Sequence, residues 1–334
     1  MAKKNQSLIN FLSTDGLNRL AEYRADVKWI EDKLRSPESI FIPVHNQKNL
    51  FENTSTHKLD LKPKLELDLD FTPTPVFLSF EEVANFSTGA YSVYFLGEIG
   101  EKFYFAVNFE SAGKEVEDEL LKRGRFDEFR KIMFLMNPVN ASLLAYARAL
   151  THWHSRNKYC GVCGSKTRSA DSGHKIVCTN QACLTEYFPR TDPAIIVLVS
   201  KGNRCLLARQ KQWPKGQYSN IAGFVEQGES LELAVKREVY EETGIMVNKI
   251  SYHSSQPWPF PGSLMIGFHA SAENLNISPH DNELEDIRWF TRQEIIKSLS
   301  EKTLRFPPPI SVSFKLIEHW FDKVGQEKLR DLVK

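Results

Sequence analysis

Apolar residues along the chain fall into helix-like spacing, strand-like alternation and one short solid run, and these patterns predict the elements. Leu17 to Leu34 carries apolar residues at helical spacing, and Phe41, Ile42 and Pro43 open an extended stretch. Asn46 to Pro75 is polar and punctuated by proline, so it reads as loop. Ser92–Gly97 and Lys102–Asn108 alternate as two strands joined by a turn around Glu98 to Gly100. From Phe126 to Ser155 the pattern is helical, with a break at Asn137-Pro138. The longest apolar run, Ala194 to Val199, reads as a buried strand; a turn at Asn203-Arg204 and a second strand, Cys205 to Arg209, follow it. Leu231, Ala234 and Val235 line one side of a short amphipathic helix. Further strands are expected around Ile250–Tyr252, Leu264–Ala270 and Ile287–Phe290. A last helix runs from Thr291 to Leu299, with Thr291 as its N-cap and Glu294 three residues on. No internal repeat and no low-complexity tract stands out.

These elements divide the chain into a mixed α/β region over 1–125, a helical linker over 126–155, a small module over 156–190 and a mixed sheet with helices over 191–325. A length of 334 residues suits two domains and a small module, and 41% hydrophobic with 25% charged residues is a globular balance. The formal charge of +1 argues against a generic nucleic-acid binder built on a broad basic surface. No apolar run approaches the length of a membrane helix. The first residues lack the apolar core of a secretory signal, and Leu332-Val333-Lys334 is not a Ser-Lys-Leu address, so a cytoplasmic location is expected.

Four of the five cysteines are bunched as Cys160-x-x-Cys163 and Cys178-x4-Cys183. Without a secretory signal, such pairs fit zinc better than disulfides. Four thiolates close a tetrahedral site, which makes the ion structural and lets it stabilise a segment too short and polar to bury a core. His152 and His154 lie just upstream and are expected to pack or face solvent, because the cysteines already complete the site. Cys205 stands on a strand and reads as a core residue.

The densest chemistry lies in Gly223 to Glu229 and Arg237 to Ile245. Glu238, Glu241 and Glu242 share one helix side, where three adjacent carboxylates repel one another. Such a run is either a solvated face or a cluster neutralised by a cation, and all-oxygen ligation suits Mg²⁺ or Mn²⁺. Gly223 and Gly228 allow the preceding loop to turn sharply. Arg237 can reach back to Glu229 and staple loop to helix, and Gly244 suits a left-handed C-terminal cap.

The spacing Gly223, five residues, Glu229, seven residues, Arg237-Glu238, then Glu241-Glu242, Gly244 and Ile245 is identical to the signature of the Nudix hydrolases. Ser255-Gln256-Pro257-Trp258-Pro259-Phe260-Pro261-Gly262-Ser263, together with the cysteine module, resembles the marks of the NADH pyrophosphatase subfamily. Alone, this proline-rich segment would also suit a rigid surface loop or a ligand for another domain. The resemblance implies an α+β chain: a Nudix fold, a mixed β-sheet sandwiched by helices, preceded by a zinc ribbon and an N-terminal domain of the NADH pyrophosphatase type. It covers Tyr159 to Trp320 specifically.

Carried over residue by residue, the resemblance makes Glu238, Glu241 and Glu242 catalytic. It adds the Ala222 carbonyl and Glu283 as further ligands for two or three Mg²⁺ or Mn²⁺ ions, with Glu285 a close rival of Glu283. One structural Zn²⁺ falls to Cys160, Cys163, Cys178 and Cys183. Substrate contacts fall to Phe188, Ala222, Phe224, Gln256, Pro257, Trp258, Pro259, Phe260, Pro261, Gly262, Ser263 and Ser313, and structural roles to Gly223, Glu229, Arg237 and Gly244. Phe188 departs from the subfamily's tyrosine, which preserves stacking but not a phenolic hydrogen bond; neighbouring Tyr187 could supply one.

The implied reaction is attack of water on the pyrophosphate of NADH or NAD⁺, giving nicotinamide mononucleotide and AMP; the base is either a glutamate or hydroxide on the metal. The alternatives are removal of an NAD cap from RNA 5′ ends, guided by Arg156, Lys158, Lys166, Arg168 and Lys175, and a non-catalytic binding protein with a Nudix shell. By the same resemblance the partners are a dinucleotide substrate and a second copy of the chain in a homodimer, with no membrane. A peroxisomal location follows the family but lacks its signal.

Overall fold

The computed structural model describes residues 6–13, 16–53, 72–86, 91–280 and 283–333. Most of the expected loop between Asn46 and Pro75 lies outside these residues, as does Asn282 beside Glu283. The chain forms two compact units: Thr14–Arg190 with Pro259–Pro261, and Thr191–Trp258 with Gly262–Lys334 and the first residues up to Ser13.

The first unit is built on a five-stranded sheet of β1 (Ser39–His45), β2 (Lys48–Phe51), β3 (Ser92–Ile99), β4 (Lys102–Asn108) and β5 (Arg125–Asp127), in the order β3-β4-β1-β2-β5. Strands β1 and β4 run parallel and the other pairs antiparallel. Phe41, Phe95, Phe105 and Phe109 fill one core, with Trp29 edge-on to Phe95 at 5.7 Å and Phe103 at 6.0 Å. The helix expected from Leu17 is shorter, α1 (Val27–Leu34), capped by Asp26; a bridge from Asn18 to Glu98 draws the upstream chain onto the sheet instead. Helices α2 (Phe80–Ala84) and α3 (Lys114–Arg123) follow, the former opened by a complete Ser79–Glu82 capping box. Strand β2 lies inside the expected loop, because its apolar Leu50 and Phe51 are buried only by pairing with β1 and β5.

The expected break at Asn137-Pro138 is a helix start. Short α4 (Phe129–Ile132) precedes it, and α5 (Pro138–Arg156) begins with Asn137 accepting the Val139 N–H and proline in the first turn. His154, near the end of α5, stacks on Tyr94 at 4.0 Å and hydrogen-bonds the Gly173 carbonyl, and His174 Nε2 bonds the Phe95 carbonyl. A three-stranded sheet, β6 (Thr167–Ala170), β7 (Lys175–Cys178) and β8 (Glu186–Tyr187), closes this unit.

The second unit is a six-stranded mixed sheet. Its strands are β9 (Asp192–Lys201), β10 (Arg204–Arg209), β11 (Ile221–Phe224), β12 (Val247–Trp258), β13 (Ser263–Ala272) and β14 (Asp286–Thr291), in the order β12-β13-β9-β10-β14 with β11 also on β9. Central β9 is buried on both faces. Ile195, Val197 and Val199 face a core with Ala234, Val235 and Val239 of α6 (Leu231–Thr243). Ile196 and Leu198 face the other core, with Ile295 of α7 (Arg292–Ser300) and with Phe314, Leu316 and Ile317 of α8 (Val312–Phe321). A short α9 (Leu329–Leu332) adds Leu329 to that second core. The Thr291–Glu294 capping box opens α7 as its sequence predicts. Lys201 pairs with Arg204, which places the hairpin turn at Gly202-Asn203, one residue earlier than expected, with Gly202 at a φ of 60°.

Desolvation pushes His154 and His174 down to about 4. A depressed histidine costs nothing above its ordinary value near 6.5. As pH falls from there to about 4, the unfolded chain binds protons that the folded unit refuses. Stability should therefore fall by about 1.4 kcal/mol per pH unit for each imidazole in that window. His154→Phe keeps the stack on Tyr94 and removes one proton, so urea midpoints measured against pH should fall less steeply than in the parent chain. An unchanged slope would show that His154 is not responsible.

Candidate active site

Strand β11 and helix α6 are joined by six residues, and one side chain fastens the junction. Arg237 donates through Nη2 to the Phe224 carbonyl at 2.9 Å and to Glu229 Oε1 at 2.6 Å, and through Nε to Glu229 Oε2 at 3.1 Å. Its Nη1 is shared between Glu238 Oε1 at 2.9 Å and Glu241 Oε2 at 3.0 Å. Glu229 Oε1 also accepts the Glu226 N–H at 2.8 Å, so the loop is closed on itself. Ser230, unremarked in the sequence, caps α6 by accepting the Leu233 N–H at 3.3 Å. Hydrogen bonds from Arg237 hold the Glu229 carboxyl below its ordinary range, and its three carboxylate partners push the guanidinium up.

The two loop glycines differ in purpose. Gly228 has a φ of +89°, which favours a residue without Cβ, as the expected sharp turn requires. Gly223 lies in strand β11, and a Cβ there would collide with the Glu238 carboxylate, so its requirement is space. Gly244 caps α6 at a φ of 70° and packs against the Ser278 carbonyl. The adjoining loop is tied to the helix end through Ser278 N–H to the Thr243 carbonyl and His280 N–H to the Glu241 carbonyl, both 2.9 Å.

Burial pushes Glu238 up from the ordinary carboxylate range, with the charges of Glu241 and Glu283 adding to it against the pull of Arg237. Glu283 thus acts on Glu238, whereas its rival Glu285 is ion-paired with Arg209 on β10. Glu242 is buried, 5% exposed, while Glu241 faces solvent. Ala222 is exposed on β11, opposite Ile196. Arg237 draws Glu238 and Glu241 to itself, and among the described residues these carboxylates do not close into a tight ligand cluster. Mutually repelling carboxylates, one buried and one half-buried, beside a strand with room for no Cβ are a donor set that fits a hard divalent cation.

The expected substrate residues divide between the units. In the second unit Phe224 is exposed and Trp258 half-buried, and Gln256, Pro257 and Trp258 end β12 against Met265, Leu264 and Ser263. Pro257 is tolerated because β12 is an edge strand. Gly262 accepts the Asp192 N–H at 2.8 Å. Two expected contacts are turned inward. Gln256 donates to the Phe11 and Ile310 carbonyls and accepts the Val312 N–H, at 2.8–2.9 Å, so its buried amide is engaged within the fold. Ser313 is buried against Ser219 Oγ at 2.8 Å and Asn220 Nδ2 at 3.0 Å. In the first unit Phe188 is exposed. Pro259 is buried and its carbonyl accepts from Arg148 Nη1 at 2.6 Å; exposed Pro261 follows the cis peptide bond from Phe260. Phe260 lies between Phe129 at 6.0 Å and the Arg148 guanidinium at 5.0 Å.

Also in the first unit, Cys160, Cys163, Cys178 and Cys183 converge with all four sulfurs within 4.8 Å of one another. The Val162 and Asn180 N–H groups point at the Cys160 and Cys178 sulfurs at 3.4 Å, and the Tyr187 hydroxyl lies 3.1 Å from Cys160 Sγ. Tyr187 is thus engaged at the cysteine cluster through its hydroxyl. Four clustered sulfurs, two of them met by backbone amides, fit a thiolate-held cation, and zinc bound there would be structural. Of the basic residues counted beside this module, Lys158 pairs with Glu110, and Lys175 with Asp171 and Glu186, which leaves a weaker positive face than the sequence suggests.

Comparison with known families follows this geometry closely. A NUDIX domain model matches residues 189–309, an NADH pyrophosphatase zinc ribbon model 155–188, and an NADH pyrophosphatase-like rudimentary NUDIX domain model 38–153. The human protein described as NAD(P)H pyrophosphatase NUDT13, mitochondrial, is 39% identical over 244 residues, 69% of this chain and 68% of that one. The chain belongs to the Nudix hydrolase family. Human NAD-capped RNA hydrolase NUDT12 is 32% identical over 347 residues, 93% of this Nudix hydrolase and 73% of the relative. The NAD-capped RNA hydrolase NudC of Mycobacterium bovis is 40% identical over 203 residues, covering 58% and 64%. This Nudix hydrolase thus carries two Nudix-type regions, and the glutamate signature occurs only in the second, which is why no repeat is visible in the sequence.

Cys163→Ser should strip the chain of its ribbon zinc, read by elemental analysis, and unfold β6–β8 while leaving the second unit's transition in place. Retention of full zinc would remove Cys163 from the ligand set.

Proposed function

We propose that the chain hydrolyses the pyrophosphate bond of NADH and NAD⁺ to nicotinamide mononucleotide, reduced or oxidised, and AMP. The observation that carries this reading is the signature helix: buried Glu242 and half-buried Glu238, the latter set against Gly223 and subject to the charges of Glu241 and Glu283. In this reading Glu238, Glu241, Glu242, Glu283 and the Ala222 carbonyl hold two or three Mg²⁺ or Mn²⁺ ions. Held there, such ions would supply Lewis-acid stabilisation of the charge developing on the pyrophosphate and would lower the pKa of a water. The chain's own residues do the remainder. Arg237 positions Glu238 and Glu241 until substrate and cation arrive, and one glutamate accepts the proton of the attacking water as a phosphorus–oxygen bond forms. The bridging oxygen then leaves with the other nucleotide. Phe224 and Trp258 offer aromatic faces for the base and the nicotinamide, while Gln256 and Ser313 support these walls from within rather than touch the dinucleotide.

NAD-capped RNA is the second substrate of the same site, favoured by the activity named for two of the relatives. Its 5′ end presents the same bond. The pairing of Lys158 and Lys175 with carboxylates argues against strong electrostatic tracking of the RNA body. A non-catalytic role is disfavoured, because a binding shell has no need of all the signature glutamates. A homodimer and a cytoplasmic location complete the reading. The former rests on the family; no helix among the described residues is long and apolar enough to cross a membrane.

Product analysis with NADH, ADP-ribose and NAD-capped RNA in parallel, in Mg²⁺ or Mn²⁺, tests the assignment; nicotinamide mononucleotide and AMP are expected from NADH. Glu242→Gln should lower turnover by at least about 10²- to 10⁴-fold, the usual scale for losing an acid–base or metal-bound group, with folding intact. Gly223→Ala should also impair turnover, by displacing the Glu238 carboxylate. Unchanged turnover in Glu242→Gln would remove the signature helix from the chemistry.

A further inference from the structure

Three histidines of the second unit meet away from the signature helix. His253 on β12, His269 on β13 and His319 on α8 each bring a ring nitrogen within 4.8 Å of the other two. Their ring centroids form a nearly equilateral triangle with sides of 5.1, 5.2 and 5.3 Å. Separate features of the fold produce this meeting. On β13, Phe268 and Ala270 enter the core shared with α6, so His269 points to the opposite face, where α8 lies. On β12, Tyr252 pairs with Phe268 and Ser254 with Gly267, which leaves His253 at a bulge, a device that re-aims a side chain. His319 comes from the last turn of α8 and is exposed.

We propose that His253, His269 and His319 form a second transition-metal site, taking a zinc-like divalent ion on three imidazole nitrogens with one position open. The hydrogen-bonding pattern fits a ligand set. His253 Nδ1 is engaged with Ser254 Oγ at 2.7 Å, which fixes the ring and leaves Nε2 for an ion, as outer partners do at metal sites. Among the described residues His269 Nε2 is buried with no hydrogen-bond partner, an unfavourable arrangement unless something binds it. An ion among the rings supplies that partner.

The surroundings choose the metal. The cleft beside the triad is also lined by Lys315, Lys323, Arg330, Glu318 and Asp322; Glu318 is paired with Arg330 at 2.8 and 3.1 Å, and Asp322 accepts the Leu329 N–H at 3.0 Å. Nitrogen ligands next to lysines disfavour Mg²⁺ and Ca²⁺ and suit Zn²⁺, Ni²⁺ or Cu²⁺. A bound ion would fasten the edge hairpin β12–β13 to α8.

Calorimetric titration of Zn²⁺ into the full chain tests this, with the ribbon loaded and excess Mg²⁺ present for the carboxylates. The parent chain should take one further equivalent and gain thermal stability from it. His319→Gln, at an exposed position, and His253→Asn should weaken that binding by at least about 100-fold, beyond what even outer-shell partners contribute, while ribbon zinc is retained. Glu238→Gln should bind it as the parent does. No further equivalent in the parent would overturn the proposal. So would an equivalent that survives both histidine changes, or one lost only in Glu238→Gln, which would assign the ion to the carboxylates.

Discussion

The active-site half of this chain depends on the guanidinium of Arg237. One planar group with five donors meets a backbone carbonyl on β11, both oxygens of a loop carboxylate and two helix carboxylates. A lysine could not do this, because a point charge on a flexible stem has neither the fork nor the number of donors. The consequence is geometric: strand, loop and helix are fixed in one arrangement before any ligand arrives. Gly223 completes the arrangement from the strand side by leaving room for Glu238. Carboxylates that would otherwise repel one another are thereby stored close together, with the cation as an internal counter-charge.

Much of this was legible in the sequence because it is local. The signature residues sit at spacings that a single loop and helix must bring together, and Arg237 does reach Glu229. The Thr291 capping box, the buried run of β9 and the four-cysteine cluster are short-range as well. What the sequence hid is long-range. Strand β2 is half-polar and earns its place only beside β1 and β5. Helix α1 is shorter than its apolar spacing suggests because Asn18 bridges to Glu98, eighty residues on. Phe268 and His269 are neighbours, yet only the sheet tells which faces α6 and which faces α8.

Gln256 and Ser313 show the same limit at the level of single roles. A glutamine in a recognition motif offers donor and acceptor, so the resemblance assigns it to substrate. Here its amide is buried and bonded to three backbone groups. Motif residues can persist because they build the wall that other residues present, and pattern alone does not separate the two duties. Spacing back from Trp289 favours Glu283 over its close rival Glu285, and the ion pair of Glu285 with Arg209 points the same way.

The partners of Gln256 also bear on where this chain can be cut. Phe11 lies 245 residues before it, Ile310 and Val312 more than fifty after it. Asn10 donates to the Ser255 carbonyl from the same early segment, and Ser7 accepts the Ser255 N–H. An excised catalytic fragment bounded at residues 189 and 309 would contain the whole signature and still leave that amide stranded. Modularity in sequence and modularity in hydrogen bonding are different properties. In this enzyme the leading residues, separated from the rest by 14–190, are physically part of the C-terminal unit.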